Sequence, residues 1–131
     1  YTVRGCCSVG PKKLKKKRIE AMLSQWGAAY VNSKGNKGKD KGQPGQDNFC
    51  MARLPNGFQV LGVFDGHGAS GHWPANRACR TAPFFLRGQK CTALLNAGRA
   101  RDALAACMNW VEADIEAAGK RDHHNVDSAG C

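Results

Sequence analysis

Two short apolar segments are the most regularly patterned part of the chain, and they predict a β-hairpin. They cover Asn48–Leu54 and Phe58–Phe64 and are separated by Pro55-Asn56-Gly57. An Asn-Gly pair between apolar runs favours a tight turn, because both residues tolerate a positive φ. The second segment is apolar on both of its faces, which is typical of a strand covered on two sides.

After the hairpin, the apolar spacing changes to that of helices. The pattern predicts one helix over Ser70–Leu86, with Pro74 in its first turn and Pro83 where it ends or makes a new turn. A second helix is predicted over Thr92–Ala118, and Gly98 is a point at which it can divide in two. Aromatic residues at helical spacing are expected in the core: Trp73, Phe84, Phe85 and Trp110.

The segment before the hairpin is more polar. Its first apolar residues, after residue 18, suit a short helix, Ala28–Asn32 suits a strand, and Asn32–Gln46 predicts a loop because it is almost without apolar side chains. Together with the hairpin and the two helical segments, this order predicts a mixed fold of the α+β class.

Positive charge is concentrated at the N-terminal end of the chain. Residues 1–42 hold 11 basic and 2 acidic residues, whereas residues 43–131 hold 9 basic and 8 acidic ones. The densest run is residues 11–18, Pro-Lys-Lys-Leu-Lys-Lys-Lys-Arg. We therefore predict a basic tail over residues 1–25, able to contact acidic surfaces, ahead of a nearly neutral body. A neutral body argues against specific nucleic-acid binding.

Length and composition exclude several classes of protein. A chain of 131 residues forms at most one ordinary domain. It has no run of the ~18–20 apolar residues that a membrane-spanning helix needs, and its N-terminus lacks the apolar core of a secretory signal. Its 7 cysteines include no Cys-x-x-Cys pair, so we expect reduced, mostly buried thiols in an intracellular protein, cytoplasmic or nuclear.

The predicted hairpin brings acidic side chains together at its open end. For a two-residue turn, the numbers of opposed residues sum to about 111 or 113, so Asp47 is expected opposite residue 64 or 66, beside Asp65. Such a pair suits a hard divalent cation, and Gly66-His67-Gly68 allows a carbonyl or the imidazole to approach a ligand. In the alternative interpretation both aspartates cap turns and His67 is a surface residue.

The residues at this end of the hairpin resemble those of the metal-dependent serine/threonine protein phosphatases, the type 2C or PPM family. The resemblance rests on Gln46-Asp47-Asn48-Phe49 and on Val63-Phe64-Asp65-Gly66-His67-Gly68. Gly71-His72, leading to Ala82-Pro83-Phe84-Phe85-Leu86, is similar to the family's first long helix. The segment Asp127-Ser128-Ala129-Gly130-Cys131 is similar to the start of a later strand.

The resemblance covers residues 26–131 and implies part of a PPM-type domain, truncated at its C-terminal end. The implied fold is half of a four-layer α-β-β-α sandwich with antiparallel sheets, and the implied cofactor is Mn²⁺ or Mg²⁺ in a binuclear site of the complete domain. In this scheme Asp65 bridges both metals, the Gly66 carbonyl binds one, and Asp47 holds a metal or its water. His67 is the implied general acid that protonates the leaving serine or threonine oxygen.

Three features depart from the family pattern. Gln46, beside the metal ligands, stands where many members have Glu, and it is expected to weaken that site. The family's phosphate-binding Arg has no match, and Lys39 or Lys41 can supply only a point charge in its place. The later aspartates that complete the family's metal shell lie beyond residue 131, so this chain alone is expected to be inactive.

The function implied by the resemblance is metal-dependent hydrolysis of phosphoserine and phosphothreonine in protein substrates by a metal-activated water. An alternative is a non-catalytic pseudophosphatase that binds phosphoproteins or serves as a scaffold. A third interpretation is a basic-tail protein that docks on nucleic acid or an acidic membrane, with binding that weakens steeply with salt.

Overall fold

The computed structural model describes residues 2–6, 20–21, 23–29, 31, 33, 44–122 and 129–130. The chain is α+β, as its pattern predicts. Besides the helical residues 20–21 and 23–25, the elements in the described residues are, in chain order, β1 (Thr2–Cys6), β2 (Asn48–Arg53), β3 (Gln59–Phe64), β4 (His67–Gly68), α1 (His72–Leu86), α2 (Gln89–Asn96), α3 (Ala100–Arg121) and β5 (Ala129–Gly130).

The predicted hairpin is present, but its register differs from the expected one. Strands β2 and β3 pair antiparallel from Asn48 opposite Phe64 to Arg53 opposite Gln59. Opposed residue numbers therefore sum to 112, as in 48 and 64, rather than to 111 or 113.

The length of the loop explains the register. The Leu54 N–H donates to the Phe58 carbonyl at 2.8 Å and the Gly57 N–H to the Leu54 carbonyl at 3.0 Å, which leaves three residues in the loop instead of two. Gly57 has a φ of 90°. A three-residue hairpin loop ends in a left-handed residue of this kind, for which glycine has no steric cost.

A third strand of this sheet comes from the N-terminal end of the chain. Strand β1 pairs antiparallel with β2, from Thr2 opposite Ala52 to Cys6 opposite Asn48, so the strand order is β1-β2-β3. Residues 2–6 thus belong to the sheet, although they fall within the predicted basic tail of residues 1–25. The rest of that prediction is untested, because the cationic run 11–18 lies outside the described residues.

The predicted strand at Ala28–Asn32 is not found, since residues 28, 29 and 31 have no regular secondary structure. They follow residues 20–21 and 23–25, which are helical as the pattern after residue 18 predicts. At the end of this segment the Trp26 N–H donates to the Leu23 carbonyl at 3.0 Å. Leu23 packs against Phe49 and Met51. This contact, rather than strand pairing, attaches the segment to the sheet.

The main core lies between one face of the sheet and helices α1, α2 and α3. Cys50 and Phe64 supply the sheet side. The helices contribute Ala75, Ala78, Cys79, Ala82, Leu86, Cys91, Leu95, Ala103, Cys107 and Val111. The expected burial of thiols is confirmed for Cys50, Cys79, Cys91 and Cys107, none of which forms a disulfide.

The observed helices differ from the predicted ones at Pro83 and Phe84 and agree with them at Gly98. Pro83 lies inside α1, which continues to Leu86; its buried ring packs in the core and offsets the hydrogen bond that proline cannot donate. Phe84, expected in the core, is 70% exposed because it points away from the face that α1 buries. Gly98, with a φ of 73°, separates α2 from α3 as predicted.

The opposite face of β3 is open. Leu61 is 63% exposed and Val63 is 83% exposed, so the expectation of a strand covered on both faces is not met in the described residues. Among these residues no helix combines the length and apolar character needed to cross a membrane.

Candidate metal centre

The hairpin register, extended by one residue beyond the strands, sets Asp47 opposite Asp65. Asn48 and Phe64 form the last residue pair of β2 and β3 at the open end, and Asp47 and Asp65 are the next residues on the two chains. A sum of 112 puts the two residues on one face of the sheet, whereas a sum of 111 or 113 would pair Asp47 with residue 64 or 66 and leave Asp65 on the opposite face. Directly opposed Cβ atoms in an antiparallel pair lie about 4.5–5.5 Å apart.

Both carboxylates belong to the face of the sheet that the helices leave open. Side chains alternate along a strand, so Asp47 lies on the side of Phe49 and Asp65 on the side of Val63. Both aspartates are exposed. They line one pocket of about 660 Å³, whose other walls are Ala28, Ala29, Val31, Ser33, Asn48, Phe49, Cys50, Met51, Leu61, Gly62 and Val63.

A tightly packed turn follows Asp65 and fixes its backbone. Gly66 is buried, and a Cβ placed on it would lie 2.7 Å from the Gln46 carbonyl oxygen and still closer to the Gly71 carbonyl oxygen. A Cβ on Gly71 would in turn meet the backbone of His67. Only glycine fits at these two positions, because backbone atoms cannot rotate away as a flexible side chain can.

Gln46 contacts this turn directly. Its side-chain Nε2 donates a hydrogen bond of 2.5 Å to the Gly68 carbonyl oxygen. The sequence placed Gln46 beside the metal ligands but did not reveal this contact, which spans 22 residues of chain. Lys39 and Lys41, the weak candidates for phosphate binding, lie outside the described residues.

His67 lies in the short strand β4, where it pairs with Gly130 of β5. The residue is exposed. The described residues that line the pocket include both aspartates but not His67. The structure therefore places Asp47 and Asp65 in one pocket. Gly66 directly follows Asp65 in the chain, and the next residue, His67, is not part of the pocket wall.

The donor set of the pocket suits a hard cation only in part. Mg²⁺ is usually held in proteins by one or two carboxylates, with water or substrate oxygens in the remaining positions. The opposed carboxylates of Asp47 and Asp65 meet this requirement. No group of three or more His, Cys, Asp or Glu residues within the described part of the chain could hold a metal, so a complete protein shell is not present there.

The buried thiols do not provide an alternative reactive site. Burial raises the pKa of Cys107 to about 11, and the nearby thiols of Cys91 and Cys50 contribute to the same shift. Burial also raises the pKa of Cys91, against the smaller opposing effect of Lys90. Both groups remain protonated at neutral pH, and a protonated, buried thiol is a poor nucleophile.

Sequence reasoning missed the importance of Gly71. The repeated glycines at 66, 68 and 71 were a signal of a compact turn, but the close approach of Gly66 to Gly71 depends on how α1 returns to the sheet.

Comparison with protein-family models, curated proteins and solved structures finds no match to this chain.

Proposed function

We propose that the chain is the N-terminal part of a metal-dependent phosphohydrolase that removes phosphate from phosphoserine and phosphothreonine in proteins. The observation that carries this proposal is the placement of Asp47 and Asp65 at opposed positions of the hairpin, on one face and in one pocket. Two neighbouring carboxylates repel each other, and a divalent cation between them would reduce that repulsion.

The residues would divide the work as follows. Asp65 and Asp47 would hold Mg²⁺ or Mn²⁺ through carboxylate oxygens, with the carbonyl of Gly66, the next residue in the chain, as a further oxygen donor. When bound, such a cation supplies a more acidic, more nucleophilic water and neutralises charge on the phosphoryl group. His67, exposed on β4, donates a proton to the leaving serine or threonine oxygen.

The open face of β3 supports the larger architecture that we propose. Leu61 and Val63 are apolar and exposed on the side away from the helices. In a four-layer α-β-β-α sandwich this face is covered by a second sheet, and the helices form one outer layer. The binuclear site belongs to that complete domain.

A second candidate is a pseudophosphatase that binds phosphoproteins without hydrolysing them. It is favoured by the neutral Gln46 and by the presence of only two opposed carboxylates in the described pocket. The two functions share the metal site but differ in turnover, so metal binding tests what they have in common and phosphate release separates them.

The first experiment is a calorimetric titration of the full chain with MnCl₂. We expect binding by the wild-type chain and at least tenfold weaker binding by Asp65→Asn and Asp47→Asn, because each removes a charged ligand. Asp102→Asn is the matched control, since it removes the same charge from an exposed pair with Arg99 on α3. Equal Mn²⁺ affinity in Asp65→Asn and Asp102→Asn would contradict the proposed site.

The second experiment measures Mn²⁺-dependent phosphate release from a phosphothreonine peptide. The described pocket supplies two carboxylates, so we expect the chain alone to bind metal without appreciable turnover. In the full-length parent, Asp65→Asn should abolish phosphate release. An unchanged rate in that variant removes Asp65 from the catalytic site.

A further inference from the structure

Gln46 makes two contacts with the turn that follows Asp65. Its side-chain amide donates to the Gly68 carbonyl at 2.5 Å. Its own backbone carbonyl lies against Gly66, 2.7 Å from the position of a Cβ on that residue. Gln46 thus contacts both the beginning and the end of the Gly66–Gly68 segment, while the next residue, Asp47, supplies one carboxylate of the pocket.

The Gly68 carbonyl accepts two hydrogen bonds in this turn. It accepts from the Gln46 amide and also, at 3.4 Å, from the Gly71 N–H. A carbonyl oxygen has two lone pairs, so two donors satisfy it. Gly68 has a φ of 79°, a left-handed conformation that glycine adopts without steric cost.

The chemistry of the contact requires a donor at position 46. With the side-chain amide reversed, its oxygen would face the Gly68 oxygen, so the hydrogen-bond network assigns the nitrogen to this side. A glutamate in the same place would direct a carboxylate oxygen at a carbonyl oxygen. Two acceptors at this separation repel instead of bonding.

We infer that Gln46 is a positioning residue that holds the Gly66–Gly68 turn, and with it the backbone of Asp65, through its amide donor. Its amide therefore has a structural role in the turn, in addition to being a neutral group beside the two carboxylates. The hydrogen-bonding role stands on the geometry alone, whereas its consequence for metal binding rests on the proposed function. A glutamate at position 46 would loosen the turn in the metal-free protein.

Hydrogen exchange of the backbone amides at residues 66–71, followed by mass spectrometry in metal-free buffer, tests this role. Gln46→Met preserves the length of the side chain and removes the donor, and we expect about threefold to tenfold faster exchange. Gln46→Glu should accelerate exchange at least as much, because it adds repulsion. Gln59→Met and Gln59→Glu are the controls, since Gln59 is exposed at the far end of the hairpin.

Unchanged exchange in Gln46→Met, or slower exchange in metal-free Gln46→Glu, would overturn the inference. A Mn²⁺ titration of Gln46→Met separates a positioning role from a general loss of stability, provided that urea unfolding shows the variant to be folded. Both carboxylates are retained, so an affinity reduced about threefold or more supports a positioning role and an unchanged affinity opposes it. Failure of the wild-type chain to bind Mn²⁺ would remove the proposed function alone and leave the exchange result standing.

Discussion

Arg77 of α1 and Asp114 of α3 form an ion pair with two parallel hydrogen bonds. The Arg77 Nε lies 2.7 Å from Asp114 Oδ2, and Nη2 lies 2.8 Å from Oδ1. Each side chain is only about a quarter exposed, and the guanidinium lies 6.0 Å from the centre of the Trp73 ring. This pair fixes α1 against α3, and the start of α1 packs against the turn that follows Asp65.

We predict that the ion pair stabilises the fold by more than an ordinary surface pair. Arg77→Met and Asp114→Asn should each lower the free energy of unfolding by about 1–2 kcal/mol, because the pair is bidentate and partly shielded from water. Urea denaturation of both variants and the double variant measures their coupling, expected at about 1 kcal/mol. The exposed pair Arg99–Asp102, treated identically, should show a coupling below about 0.5 kcal/mol. Purely additive losses at Arg77 and Asp114 would contradict this prediction.

The hairpin illustrates how far the sequence predicts the site. The two strands follow from apolar runs flanking Pro55-Asn56-Gly57, and their ends were correct to within one residue. The register was not, since the sequence does not determine whether two or three residues form the loop. Because side chains alternate along a strand, this difference decided whether Asp47 and Asp65 lie on the same face of the sheet or on opposite faces.

Other features depend on contacts that local patterns do not encode. Strand β1 was missed because pairing with β2, and not its own composition, makes residues 2–6 a strand. The exposure of Phe84 depends on how α1 is rotated against the sheet. The Gln46–Gly68 hydrogen bond joins residues that are distant in the chain, so a local pattern gives no sign of it.

We predict that alanine substitutions at Gly66 and Gly57 have effects of different size. A Cβ on Gly66 would collide with two backbone carbonyls, and we expect a loss of about 2–3 kcal/mol in the free energy of unfolding. A Cβ on Gly57 meets nothing within 4 Å, so only the positive φ is costly, by about 1 kcal/mol. Urea denaturation of the two variants compares them, and a larger loss for Gly57→Ala would show that the turn is not packed as described.

We predict that the opposed aspartates destabilise the metal-free chain. Like charges on directly opposed strand residues cost roughly 0.2–1 kcal/mol, so Asp65→Asn should raise the free energy of unfolding by about that amount in the presence of EDTA. At an MnCl₂ concentration that saturates the wild-type chain the order should reverse, because the wild-type chain binds the metal more tightly and gains more binding energy than the variant. Urea midpoints under the two conditions test both signs, and a variant that is less stable in EDTA would indicate that Asp65 has a stabilising partner instead.

Finally, we predict that the buried thiol of Cys107 makes the stability of the fold fall at alkaline pH. Burial raises its pKa from 9.0 to about 11 in the native state, whereas the thiol of the unfolded chain ionises near its ordinary value. The stability that the neutral thiol contributes is therefore fully present below about pH 9 and is lost as the pH rises toward 11. The loss reaches about 2–3 kcal/mol.

Lys and Tyr side chains titrate in the same range, so the measurement is the difference between wild type and Cys107→Ala in urea denaturation from pH 7 to 11. The variant should be less stable at pH 8, since it loses packing and the contact of 3.4 Å with the Ala82 carbonyl, and this deficit should shrink steadily above pH 9. A deficit that stays constant across the range would mean that the thiol ionises alike in the folded and unfolded chains.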